Sequence, residues 1–303
     1  MRRSVDDLRT ALAGVSGILV TPFDEDGDIA PERLSGPVER ALAAGVHVLT
    51  ANGNTGEFYG LTLGEAEAMV RAAAERIAGR APLIGGVGRG VRDACRLARI
   101  SAEAGAAALM IHQLPDPFVA PRGIRDYIRA VREAADGLPL ILYLRNDAIG
   151  VAEIARLCET DGVIGVKWAT PNPMVLAKAM RAAPDHIVWT GGLAEVWAPA
   201  FYAVGARGFT SGLINVWPER SVAINAALEA GDFAGANHLI DGMRVFEDIR
   251  AEETGGANVS GVKAALAMMG DDCGPPRPPA AWPLTDDQTR RLSDFLATNG
   301  LLP

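Results

Sequence analysis

The chain has 303 residues, 49% of them hydrophobic, and a formal net charge of −8. That length allows one large α/β domain with an appendage, or two domains. An acidic chain without basic runs is a poor match for nucleic acid or an anionic membrane, and its longest apolar stretches, such as 105–111, are too short to span one.

Short apolar runs and helical stretches alternate along the first 230 residues. The predicted strands cover 15–21, 46–50, 82–86, 107–111, 138–144, 163–168, 187–190 and 207–211. They are continuous rather than alternating in hydropathy, as in parallel strands buried on both faces. Pro31 suits the first turn of the helix before the second strand. Thr62-Leu63-Gly64-Glu65 is a capping box ahead of an Ala-rich helix. Gly45, Gly105, Gly162 and Gly205 stand where helices end and strands begin. Eight strands separated by seven helical stretches predict an α/β fold, a (β/α)8 TIM barrel. The rival is an open doubly wound sheet. Its phosphate fingerprint is missing, because Gly85-Gly86-Val87-Gly88-Arg89-Gly90 matches neither G-x-G-x-x-G nor the P-loop. Close backbone packing at a barrel rim suits that segment better.

Beyond about residue 231 the pattern is helical, with predicted helices over 232–252, 259–269 and 285–298. Gly274-Pro275-Pro276-Arg277-Pro278-Pro279 is a stiff connector between the last two. The predicted organisation is a barrel catalytic domain over 1–230 and a C-terminal helical subdomain over 231–303.

Cys95, Cys158 and Cys273 are odd in number and far apart, which suits a reducing cytoplasm rather than a disulfide framework or zinc site. The four histidines show no ligand spacing, so no metal is expected. Arg2 and Arg3 are followed by two acids and no apolar segment, so no signal peptide is expected.

Lys167 is the residue with most chemistry in it. Only three of the 29 basic residues are lysines, and Lys178 and Lys263 fall in helical-looking stretches. Lys167 lies in the apolar run Gly162-Val-Ile-Gly-Val-Lys-Trp168. An ammonium there is poorly solvated, its pKa falls, and the neutral amine can form a Schiff base. The alternative is a strand-end lysine that snorkels to solvent. Strand ends of a barrel gather the active site, and they supply further candidates. In Gly53-Asn54-Thr55-Gly56-Glu57-Phe58, backbone N–H groups and the Thr55 hydroxyl can converge on an anion. Tyr143 is a phenol in an apolar strand and suits proton transfer, or else a satisfied core position. Arg145 suits a carboxylate clamp, or else a surface position paired with Asp147. Small residues at Thr190-Gly191-Gly192 and Thr210-Ser211-Gly212 leave room for a ligand. His112 is a base, a substrate ligand or a structural histidine.

Taken in this order, these segments resemble the dihydrodipicolinate synthase/N-acetylneuraminate lyase family of class I aldolases and dehydratases. The resemblance covers nearly the whole chain. Gly17–Phe23 is similar to G-x-x-x-x-T-P-F and Gly53–Glu57 to G-[TS]-T-G-E, with further matches at Leu142-Tyr143, Gly165-Val166-Lys167 and Gly191. It implies that Lys167 condenses with the ketone of pyruvate or another 2-keto acid. It implies that Tyr143 shuttles protons, and that Thr55 holds the keto-acid carboxylate and relays to that tyrosine, with Asn54 replacing the usual Thr or Ser beside it. It also implies a homodimer or homotetramer. Substrate binding by Asn54, Arg145, Gly191, Thr210 and His112 is expected.

Departures narrow the choice. Synthases that make dihydrodipicolinate carry an arginine just before the glycine that follows the tyrosine segment, whereas Ala148 and Ile149 precede Gly150 here. They also take a tyrosine from a neighbouring subunit's P-Y-Y segment, and residues 112–118 contain none. The 5-dehydro-4-deoxyglucarate dehydratases look closer. Their Y-N-R-D-N is similar to Tyr143-Leu144-Arg145-Asn146-Asp147, and their G-P-V-R-P-P to Gly274–Pro279. Leu144 replaces an asparagine, and Lys167-Trp168 replaces a Lys-Asp pair. The expectation is a cytoplasmic Schiff-base lyase of a 2-keto acid, a dehydratase of a keto-deoxy sugar acid, needing no metal or organic cofactor. Elimination of the hydroxyl, with or without decarboxylation, defines the dehydratase. A pyruvate-dependent aldolase and a non-catalytic keto-acid-binding barrel are the alternatives.

Overall fold

The computed structural model describes residues 4–116 and 118–303; Arg2, Arg3 and Pro117, used above, lie outside them. Eight parallel strands close into a barrel in chain order, with β8 pairing back to β1. They are β1 (Val15–Ile18), β2 (Val48–Ala51), β3 (Leu83–Val87), β4 (Ala108–His112), β5 (Leu140–Leu144), β6 (Val163–Trp168), β7 (Val188–Gly191) and β8 (Phe209–Ser211). Each falls on a predicted strand. The first is shorter than its apolar run, because after Leu19 the chain turns into a corner. Val20 N–H donates to Asn215 Oδ1, and Thr21 Oγ1 donates to the Gly56 carbonyl at 2.7 Å.

The helices around and after the barrel are α1 (Val5–Leu12), α2 (Ser35–Ala43), α3 (Leu63–Ile77), α4 (Val91–Glu103) and α5 (Pro121–Ala134). Then come α6 (Val151–Cys158), α7 (Pro173–Ala182), α8 (Ala194–Ala203) and α9 (Pro218–Glu229). Last are α10 (Phe233–Asp241), α11 (Arg244–Ala251), α12 (Ala257–Met268) and α13 (Asp286–Thr298). The predicted capping box at Thr62 and Glu65 is formed. Gly45, Gly105, Gly162 and Gly205 all have positive φ, as helix-ending glycines require. Two expectations need correction. The predicted helix over 232–252 is two helices, broken at Gly242-Met243, where the α10 C-cap forms. The N-terminal α1 was not foreseen.

That helix matters for the site. Leu8 and Leu12 of α1 pack inside the barrel with Val48, Ile84, Met110, Ile141 and Tyr143. The barrel interior is therefore filled from α1 up to Tyr143, and space remains only beyond that ring. A second apolar cluster lies between the strands and the outer helices. It runs without interruption into α10–α13 through Ile240, Phe246, Leu292 and Phe295. The C-terminal helices thus share one core with the barrel.

Between them lies a buried acid. Glu195, in α8, is fully buried and accepts a hydrogen bond from Ser221 Oγ at 2.6 Å, while its second oxygen has no hydrogen-bond partner. Burial, reinforced by the nearby Glu247 carboxylate, raises Glu195 to about 7. Folding therefore favours its protonated form. Its contribution is complete below the ordinary carboxylate range and is lost as pH rises through about 7. Glu195→Gln, neutral at every pH, should gain thermal stability relative to the unaltered protein between pH 5 and pH 8. Calorimetry at both values reads this, and a pH-independent difference would count against it.

Candidate active site

The register of the barrel places His112 beside Tyr143 and Tyr143 beside Lys167 on successive strands. Lys167 is only 4% exposed. Its Nζ lies 4.1 Å from the centre of the Tyr143 ring, and no carboxylate among the described residues comes within 4.0 Å of it. Burial, helped by the positive charge of Arg145, lowers Lys167 to about 7. A large share of the amine is therefore neutral at neutral pH, as a Schiff-base nucleophile requires. The snorkelling alternative fails, because the amine does not reach solvent.

Tyr143 is buried to the ring, and burial raises its phenol to about 12. Its hydroxyl accepts a hydrogen bond from Asn54 Nδ2 at 2.9 Å. The resemblance assigned the relay to Thr55, but the residue that meets Tyr143 is Asn54. Thr55 is buried in the same loop. Arg145 follows at the end of β5, exposed, with its charge felt by Lys167, His112 and Tyr143. A cavity of about 420 Å³ opens on the β4–β5 side of the site, lined by His112, Gln113, Tyr143, Arg145 and Asn146 among others, while Lys167, Asn54 and Thr55 lie outside its lining.

One expectation shifts and another narrows. His112 lines the cavity, with its Nδ1 buried and without a hydrogen-bond partner. Its Nε2 lies 2.8 Å from the Asn52 carbonyl and must carry the proton, and its ring stacks on Phe58. Burial lowers it to about 3, so it stays neutral and is no acid near pH 7. Gly191 faces away from the site, since a Cβ there would meet Phe201 and Phe209. The glycine that leaves room is Gly192, where a Cβ would lie 3.0 Å from Lys167 Cγ. Thr210 is buried on β8 between Phe209 and Ser211, which face outward, so alternation turns it inward. Trp168 also faces outward, packed with Trp189, and does not fill the site. The glycine-rich 85–90 segment packs closely, as expected: a Cβ at Gly86 would collide with the Asn52 carbonyl.

The sequence reading missed what holds the Asn54 loop. Glu57, in the left-handed region with φ 55°, forms a buried ion pair with Lys263 of α12 at 2.7 Å. Glu57 also accepts the Arg277 N–H at 2.8 Å. Lys263 and the Arg277 guanidinium both lie against the Phe23 ring, at 4.0 and 4.1 Å from its centre. The Gly274–Pro279 connector is thus strapped to the β2 loop. Lys263 sits in a helix, as foreseen, but it is as buried as Lys167.

A barrel with a buried lysine of lowered pKa at the end of β6 and a phenol beside it is the architecture of Schiff-base lyases. The sequence profile of the dihydrodipicolinate synthetase family matches residues 11–299, and the chain belongs to that family. It is 34% identical to a probable 5-dehydro-4-deoxyglucarate dehydratase 1 of Streptomyces avermitilis, covering 91% of this chain and 90% of that one. It is 31% identical to a probable 5-dehydro-4-deoxyglucarate dehydratase of Rhizobium rhizogenes, covering 94% and 95%. The crystal structure of dihydrodipicolinate synthase from Bacillus clausii superposes with a TM-score of 0.92 at 34% identity, over 97% of this chain and all of that one. The protein is a lyase of this family. No helix among the described residues is long and apolar enough to cross a membrane.

Two outcomes follow. The rate of borohydride-trappable adduct formation with pyruvate should rise with pH up to about 7 and level off above it, because only the neutral amine attacks. Arg145→Met should move that inflection upward by removing a charge that lowers Lys167; an inflection near the ordinary lysine value in the unaltered protein would refute the assignment. Lys263→Met should strand the Glu57 carboxylate without its ammonium and cost about 3–5 kcal/mol, measured from urea midpoints. A loss below about 1 kcal/mol would show that the pair contributes little.

Proposed function

We propose that this protein is a dehydratase of a keto-deoxy sugar acid. The observation that carries the reading is the buried, unpaired Lys167 against the ring of Tyr143. Neutral Lys167 attacks the C2 ketone of a 2-keto-3-deoxy acid. The Tyr143 phenol protonates the carbinolamine hydroxyl, which leaves as water. The resulting phenolate takes a C3 proton, and the cationic imine receives the electron pair as the enamine forms. The re-formed phenol then protonates the C4 hydroxyl, which departs as a second water as the enamine returns its electrons. The Asn54-Thr55 loop holds the carboxylate next to the imine, and Arg145 holds a carboxylate or hydroxyl further along.

The relatives named as 5-dehydro-4-deoxyglucarate dehydratases support this choice of substrate class. Dihydrodipicolinate synthesis is disfavoured by the absence of an arginine just before Gly150 and of a tyrosine in 112–118. On this reading the protein works in the cytoplasm as a homo-oligomer, and the 92% exposed Phe118 suits contact with a second copy.

With 5-dehydro-4-deoxyglucarate the protein should consume substrate without releasing pyruvate. Lys167→Ala should abolish both turnover and the borohydride-trapped adduct. Tyr143→Phe should slow turnover by about 10²–10⁴. Release of free pyruvate from a sugar acid would make it an aldolase instead, and an undiminished Lys167→Ala would end the imine mechanism.

A further inference from the structure

His112 ends β4 with a hydrogen-bond acceptor that the fold leaves unused. Ala108 and Met110 pack inside the barrel and Ile111 packs outside it, so strand alternation turns His112 inward. There it stands next to Tyr143, its register partner on β5, with ring centres 5.4 Å apart. The ring is held in place. Phe58 stacks on it at 4.2 Å, and Tyr59 packs edge-on at 5.4 Å. Nε2 donates its hydrogen to the Asn52 carbonyl at 2.8 Å, which sets the tautomer and leaves Nδ1 with a lone pair and no hydrogen. The side chain is 1% exposed, and Nδ1 has no partner among the described residues.

What such an atom can take is limited. A carboxylate has no hydrogen to offer at neutral pH, and a ketone has none either. A hydroxyl has one. Asn54 repeats the pattern on the other side of the phenol: its Nδ2 is committed to Tyr143, while its Oδ1 is buried without a partner. Two unsatisfied acceptors therefore border Tyr143, and both call for an O–H. Burial keeps His112 neutral, so its acceptor is present at neutral pH.

The leaving hydroxyl of the substrate needs a group of this kind. Tyr143 protonates the C4 oxygen through a lone pair, so the hydroxyl's own hydrogen must point elsewhere. We infer that His112 is a specificity-determining residue, whose Nδ1 accepts the hydrogen of the C4 hydroxyl and turns a lone pair of that oxygen toward Tyr143. In the elimination the phenol proton goes to the C4 oxygen, the C4–O bond breaks with its electron pair leaving on water, and the enamine electrons form the C3–C4 double bond. The hydrogen held by Nδ1 stays on the departing oxygen, and His112 neither gains nor loses a proton. The role rests on the imine reading, because Lys167 fixes C2 and so limits where C4 can lie.

The test compares 4-hydroxy-2-oxopentanoate with 2-oxopentanoate, which differ only in the C4 hydroxyl. The half-saturating concentration for borohydride trapping on Lys167 is measured with each, and with pyruvate, in the unaltered protein, His112→Phe and His112→Leu. Neither variant has an acceptor, and the first keeps a ring to stack on Phe58. The unaltered protein should prefer the hydroxy acid by about fivefold, as one neutral hydrogen bond allows. Both variants should lose that preference and take up pyruvate and 2-oxopentanoate as before. Equal half-saturation by the two longer acids in the unaltered protein would overturn the assignment, and that arm needs no variant. So would a preference that survives in the variants, or a weakening of all three acids alike, which is how a purely structural histidine would behave. Pyruvate also separates the two readings. No pyruvate adduct on unaltered Lys167 would end the imine reading, whereas an adduct without a hydroxyl preference would end the role of His112 alone.

Discussion

Burying a lysine where no carboxylate can reach it is the constraint from which this site follows. At the end of β6 the ammonium of Lys167 would lose its water, and the Tyr143 ring face returns only part of that loss. The less costly state is the neutral amine, which is also the nucleophile. Lys263 shows the other outcome. It is as buried, and burial lowers it too, but Glu57 at 2.7 Å opposes that effect and holds it in an ion pair. One carboxylate separates a reactive lysine from a structural one. Arg145 adds to the first case, since its charge acts on Lys167 in the same direction as burial. A cation beside a lysine would ordinarily be a liability. Here it favours the neutral amine before substrate binds, and it is available to the substrate afterwards.

The loops that carry the reacting groups are tied to one another and from behind. Asn54 reaches across to Tyr143, and Gln113 spans from β4 to the loop after β5. On the far side, Glu57 anchors the β2 loop to α12 and to the connector at Arg277. Arg277 also pairs with Glu65 at 2.6 Å, so the connector touches both the loop and the helix that follows it. The C-terminal helices therefore bear on the chemistry by position, without reaching the reacting atoms. A loop held at both ends loses little further entropy when substrate arrives.

The strands could be read in the sequence because burial on both faces keeps each run mostly apolar and leaves Lys167 as their one strongly basic or acidic side chain. Lys167 and Tyr143 stood out for the same reason: a polar group in such a run needs an explanation. What the sequence did not show depends on register and on long-range contact. Gly191 and Gly192 look alike in one dimension, and only strand parity tells which one leaves space at Lys167. The Glu57–Lys263 pair joins residues 206 positions apart, and no spacing rule links them. Helix α1 was missed because nothing in Val5–Leu12 says that its apolar face would fill the barrel. Thr55 was expected as the partner of Tyr143 because the family resemblance implies that role for it, with Asn54 standing in the place of a usual Thr or Ser beside it. The backbone placed the amide there.

That substitution bears on the reaction. A hydroxyl beside Tyr143 would both give and take a proton, whereas Asn54 Nδ2 only donates. The Tyr143 oxygen thus accepts from Asn54 and keeps its own O–H free for the cavity. Burial keeps that phenol protonated up to about 12, so it enters each cycle as an acid. Retro-aldol cleavage requires the opposite at the C4 hydroxyl, because that oxygen must lose its proton as the C3–C4 bond breaks. Elimination requires that the same oxygen gain a proton and leave. On the proposed sequence the phenol gives its proton to the carbinolamine, recovers one from C3, and is protonated again when the C4 oxygen must leave, which matches elimination. The same imine can support either bond cleavage: a phenolate that took the C4 hydroxyl proton instead of the C3 proton would direct it to carbon–carbon scission.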